Sequence, residues 1–288
     1  MLLQHSRCSA TNVMHSATSK RERILILVKT YPALSTKYDE LVCTAGMTPE
    51  GKWIRLYPIP FRKLELDKRY GKYQWVELEI TKNTSDPRPE SYRPVKMCED
   101  ITFHGEVGTE EGWIARKSIV LRNVYDDMDR LIAVNKGDDG ISLAVFKPAR
   151  IINFTVEETD RSWDPAKLKA IEVRAAQLNL FGGEESPFQI VSKLPYIFRY
   201  VFEDARGRQS TLMIEDWEIG SLYWNCLERA GGDEKVACQK VREKYFDLFR
   251  TRDLYFFLGT SRQFDSWARN PFLIIGCFWP PIPNPALF

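Results

Sequence analysis

The residues with the most chemistry to offer lie in the stretch Trp53 to Arg62, WIRLYPIPFR. Read as a strand, it puts Trp53, Arg55 and Tyr57 on one face and Ile54 and Leu56 on the other. The second pair makes a core face. The first trio sets a guanidinium between two aromatic rings, which suits stacking on a base while holding a phosphate. The same trio would also stiffen a sheet as a cation–π ladder. Pro58 and Pro60 end the strand, because proline cannot donate to a ladder. A neighbouring run from Tyr73 to Ile80 repeats the pattern, with Val76, Leu78 and Ile80 inward and Tyr73, Trp75, Glu77 and Glu79 outward. From Lys52 to Lys96 eleven Lys and Arg stand against six Asp and Glu, the strongest regional charge bias in the chain. Within it, Ser85 to Pro94 carries Arg88, Arg93, Tyr92 and three prolines. That composition predicts an extended loop, since each proline disfavours helix for itself and its predecessor. Such a loop beside a sheet can track a phosphodiester backbone.

A second group with binding chemistry is Gly259-Thr260-Ser261-Arg262, which follows an apolar strand. Backbone N–H groups, two hydroxyls and a guanidinium can hold a phosphate there, although an ordinary turn has the same composition. Carboxylates offer a different chemistry. Glu215, Asp216 and Glu218 fall at a strand-to-helix junction, where acids can hold Mg²⁺ for phosphodiester cleavage but also cap a helix and match its dipole. Glu40, next to Asp39, is the other candidate acid, although Lys29 precedes it where a nuclease spacing would place a lysine after it. Of the three histidines only His104 lies in the body of the chain, and no G-x-S-x-G elbow, Walker loop or dinucleotide fingerprint is present. The six cysteines, Cys8, Cys43, Cys98, Cys226, Cys238 and Cys277, are scattered without paired spacing. They read as reduced, buried residues of a reducing compartment, and no metal site is assigned.

The elements that must position these groups predict an α+β chain. The acid-free, Ser- and Thr-rich residues 1–21 read as a disordered tail, with a loose likeness to a transit peptide. Residues 22–160 read as a β-rich domain bearing the basic aromatic face, a curved sheet or small barrel. It opens with the strand ILILV from Ile24 and a hairpin pairing Leu41–Ala45 with Trp53–Tyr57. A helix starting at Ser118 carries Ile119, Val120, Val124, Met128, Leu131 and Ile132 on one face. Ile141 to Glu157 reads as strand, broken near Pro148. Residues 161–187, with a helix from Pro165 to Leu178 and the breaker Gly182-Gly183, read as a linker. Residues 188–288 form a β-β-α-α-β-β domain: a hairpin from Leu194 to Ile214, a helix capped by Asp216, another from Asp233 to Arg250, and strands Leu254–Leu258 and Phe272–Phe278.

Length and composition restrict the partners. The chain of 288 residues can bury a substantial core without staples, and no apolar run approaches a membrane span. Forty-one Lys and Arg against 39 Asp and Glu leave a net charge of +2, so an anionic partner must be drawn by local rather than global charge. The expected function is binding of single-stranded or distorted nucleic acid by Trp53, Arg55, Tyr57, Arg62, Tyr73, Trp75, Arg88 and Arg93 in a cytoplasmic protein, with no cofactor. A Mg²⁺-dependent nuclease using the acids, or a protein-interaction module docking a partner through the same aromatic face, are the alternatives.

Overall fold

A computed structural model describes residues 19–138, 140–180, 189–265 and 267–282. Most of the expected tail, residues 1–18, and residues 181–187 of the expected linker lie outside the described residues. The N-terminal half contains strands β1 (Lys20–Lys29), β2 (Ala33–Ser35), β3 (Asp39–Met47), β4 (Trp53–Ile59), β5 (Gln74–Lys82), β6 (Ser91–Pro94) and β7 (Thr102–Glu106), then helix α1 (Glu110–Val120). There follow β8 (Val124–Tyr125), α2 (Met128–Lys136), β9 (Leu143–Phe146), β10 (Arg150–Glu158) and α3 (Pro165–Leu180). The rest comprises β11 (Tyr196–Glu203), β12 (Gln209–Met213), α4 (Trp217–Arg229), α5 (Glu234–Arg242), β13 (Tyr255–Thr260) and β14 (Phe272–Phe278).

The expected α+β class and the small barrel are both present. Five strands close in the order β1-β3-β4-β6-β5, with β5 returning to pair with β1 from Lys20↔Ile80 to Leu25↔Trp75. Every pairing around the ring is antiparallel except β4 with β6, where Arg55 faces Ser91 and Leu56 faces Tyr92. That order with its single parallel pair is the topology of an OB-fold barrel. Ile24, Ile26, Ile54, Leu56, Val76, Leu78 and Ile80 fill its interior, as strand alternation requires.

Order begins earlier than expected, since Lys20 already pairs in β1. The second face of ILILV has its own purpose. Leu25 and Leu27, with Ala45 of β3, pack against Val145, Phe257, Ile275 and Phe278, so the barrel wall and the C-terminal sheet β14-β13-β9-β8 share a core. Each such aliphatic side chain contributes roughly 1.5–3 kcal/mol on burial. The remaining sheet, β10-β11-β12, joins α4 and α5 around Phe154, Phe198, Tyr200, Tyr223, Val241 and Phe256.

Two local readings are corrected. The single helix from Ser118 is two helices, because the chain turns out at Leu121 to form β8 and restarts where the Asp127 carboxylate accepts from Arg130 N. Ser118 does not cap a start; its hydroxyl donates to Ala115 O near the end of α1. The extended loop likewise stops at Ser91, where β6 begins and slots between β4 and β5. The expected division at 161–187 does not coincide with a change of sheet, because β10 ahead of it pairs with β11 beyond it. The helices at Asp216 and Asp233 start where the sequence places them, each aspartate accepting hydrogen bonds from the first turn.

Candidate functional site

In an OB-type barrel the ligand groove crosses the second and third strands and is flanked by the loop before the second strand and the loop between the fourth and fifth. Here those parts are β3, β4, residues 30–38 and residues 83–90. They form one wall of a cleft of about 550 Å³, and the other wall is Glu215, Gly259, Thr260, Ser261, Arg262, Leu273 and Ile275 from the C-terminal half. The barrel closure thereby collects groups distant in sequence. Lys37, Arg55, Arg88, Arg93 and Arg262 line this cleft against Asp86 and Glu215.

Arg55, expected on an open platform, is only 2% exposed. Its Nη1 donates to Ser142 Oγ at 2.6 Å and its Nη2 to Ser142 O at 3.1 Å. The Ser142 hydroxyl donates onward to Glu90 at 2.8 Å, and Ser142 N donates to the same carboxylate at 2.9 Å. The outward face of β4 is therefore the seam with the C-terminal half. Trp53 lies on this face too, its ring 5.9 Å from that of Phe257 and edge-on to it. Alternation was right about the two faces of β4 and silent about what covers them.

The remaining platform residues do not share a surface. Tyr73 is buried, with Arg116 over its ring at 3.7 Å. Trp75 is half-buried under Arg23. Arg62 donates to both oxygens of Glu40, at 2.7 and 2.6 Å, and that carboxylate also accepts from Val191 N. Glu40 is 3% exposed, so its charge is used in an ion pair that ties the barrel to the segment after residue 188. Asp216 is buried, caps α4 and accepts from Tyr245 OH at 3.4 Å; burial raises its pKa against the pull of Lys72. Glu218 is exposed and pairs with Lys72. Among the described residues no three His, Cys, Asp or Glu side chains converge as a metal site.

Tyr57, Arg88, Arg93 and the loop Gly259–Arg262 do come together. Tyr57 is 38% exposed at the cleft. Arg88 is buried and folds back on Asp86, donating from Nε and Nη2 at 2.8 and 2.7 Å. Burial works to raise the Asp86 pKa, but bonds from Arg88 and Ser91 outweigh it and hold the carboxyl down at about 2. The third donor of Arg88, Nη1, crosses the seam to Thr260 O. Arg93 Nη2 donates to Asn83 Oδ1 at 2.9 Å, while its Nε is buried without a partner. Thr260, 6% exposed, has its Oγ1 likewise unpartnered. Arg262 and Lys37 are exposed and form no ion pair among the described residues.

Lys37, Tyr38, Cys43 and Asp86 are among the cleft residues that escaped the sequence reading as site members. Lys37 and Tyr38 lie on a loop whose role only the barrel topology discloses. Cys43 reaches the cleft from β3; burial raises its pKa while the nearby Arg55 and Arg88 guanidinia act the other way. The loop that carries Arg262 also presents Trp267, 69% exposed, which no alternation or charge signal marked.

Residues 124–288 match a family described as a domain of unknown function (DUF8757), and the chain belongs to that family. Residues 20–122, which contain the barrel, match a second domain of unknown function (DUF8758). No curated protein matches the chain.

Proposed function

We propose that this protein binds single-stranded nucleic acid in the cleft between the OB-type barrel and the C-terminal half. The observation that carries the reading is the convergence, in the groove that OB barrels use, of an excess of cations with an exposed tyrosine. OB grooves take oligosaccharides as well as oligonucleotides, and charge decides between them. Five Lys and Arg against two acids favour an anion, and Tyr57 offers a face on which a base can stack. The fold alone assigns nothing; the reading rests on this side-chain set.

Arg262 and Lys37 are the groups to test, because they are exposed and their removal leaves the seam intact. Fluorescence anisotropy with labelled single-stranded DNA and RNA, at two salt concentrations, measures the effect. Arg262→Ala and Lys37→Ala should each weaken binding and lower the salt slope by about one, as loss of a phosphate contact does. Tyr57→Ala should cost about 1–3 kcal/mol with little change in slope. No binding by the wild type at low salt, or binding that none of these substitutions alters, overturns the proposal.

A further inference from the structure

We infer that the cleft receives the phosphorylated end of a single strand rather than an internal stretch, an inference that rests on the nucleic-acid reading above. An open OB groove lets a strand run across the barrel from one flanking loop to the other, covering about 4–16 nucleotides. Here both flanking loops are tied to the C-terminal half. On one side Arg88 donates to Thr260 O, and Arg55 and Glu90 close on Ser142 behind it. On the other, Tyr31 N donates to Glu215 O, Tyr31 OH donates to Ser192 O at 2.8 Å, and Trp224 Nε1 donates to Tyr31 OH at 2.7 Å. A strand lying along the groove would have to pass through both ties. What remains is a pit of about 550 Å³, within the roughly 300–1,000 Å³ of small-molecule sites.

The chemistry of the pit suits a terminal phosphate. A phosphomonoester carries about −1.5 to −2 charges and three strong acceptor oxygens, against a single charge on an internal phosphodiester. Arg93 and Arg262 line this cleft together with Lys37, so a terminal phosphate there meets guanidinium and ammonium donors. Arg262 and Lys37 at the rim supply the matching charge.

The test titrates the full chain with one labelled sequence in four forms: linear with a 5′-phosphate, linear with a 3′-phosphate, linear with two hydroxyl ends, and circular. A nucleoside monophosphate serves as competitor. One phosphorylated linear form should bind about tenfold or more tighter than the hydroxyl form, the worth of a hydrogen bond to a charged group, and the circle should bind weakest. Arg262→Ala should reduce the preference for phosphate while leaving the melting temperature unchanged, because the side chain it removes is exposed and forms no ion pair among the described residues. A circle that binds as tightly as the linear forms overturns the strand-end inference and leaves nucleic-acid binding standing. Monophosphate binding without strand binding overturns it in favour of a mononucleotide site. If no form binds, the nucleic-acid reading itself fails.

Discussion

Ser142 joins the two halves of the molecule through its hydroxyl, its N–H and its carbonyl, and Ser142→Ala measures what the hydroxyl contributes. The hydroxyl accepts from Arg55 Nη1 at 2.6 Å and donates to Glu90 Oε2 at 2.8 Å, so the substitution removes two hydrogen bonds to charged partners. Each is worth about 1.5–3 kcal/mol. Glu90 is half-buried and can recover water, whereas Arg55 is 2% exposed and cannot. Its other neighbour, Ser91 Oγ, is 3.5 Å away, and Ser142 O at 3.1 Å becomes its main remaining acceptor. The loss should therefore sit near the lower end of the range, about 3 kcal/mol. At about 2–4 °C per kcal/mol for chains somewhat shorter than this one, the melting temperature should fall by about 6–12 °C. Thermal unfolding followed by circular dichroism measures it, with the exposed Ser118→Ala as a control expected to shift by less than about 0.5 kcal/mol. A loss below about 1 kcal/mol for Ser142→Ala would show that Arg55 finds other partners and that this hydroxyl does not hold the seam.

Three further outcomes follow from the same contacts. The Asp86 pKa lies at about 2 against an ordinary 3.8, so it contributes stability that is present above pH about 4 and lost as pH falls toward 2. Asp86→Asn should lower stability at neutral pH by about 2 kcal/mol and flatten the unfolding profile across that window; an unchanged acid limb would show that the Arg88 pair is not what depresses the carboxyl. Gly220→Ala would set a Cβ 2.3 Å from the Tyr31 ring, displacing the tyrosine that ties one flank of the cleft. It should cost about 1–3 kcal/mol and raise the affinity for a circular strand relative to a linear one, while equal affinities before and after would refute the tie. Glu40→Ala removes the buried carboxylate that accepts from Arg62 and from Val191 N and should cost about 1–3 kcal/mol in urea unfolding, since Arg62 is partly exposed and can be hydrated; a loss of a few tenths would mean the Arg62 pair contributes only as a surface contact.

Much of the local structure was legible in the chain itself. Alternation in Trp53–Tyr57 and Tyr73–Ile80 specified which side chains enter the barrel, because a strand has only two faces and the apolar residues occupy one of them. Asp216 and Asp233 marked helix starts because a carboxylate ahead of an amphipathic run satisfies the free N–H groups. The loop Gly259–Arg262 and the arginines at 88 and 93 were singled out by residue type, and they meet at one cleft. What the sequence could not show is what lies against each outward face. Trp53 and Arg55 have the same pattern whether they meet solvent or a second sheet, and here Phe257 and Ser142 cover them. Nor could it bring residues 37, 93 and 262 together, because that depends on β1 closing on β5 and on the barrel wall docking against β13 and β14. Periodicity is a property of a few neighbouring residues, while burial of a polar face and convergence of loops depend on contacts between segments far apart in the chain. Those contacts turned an open platform into a seam and left the cleft beside it as the place where cations and an exposed tyrosine come together.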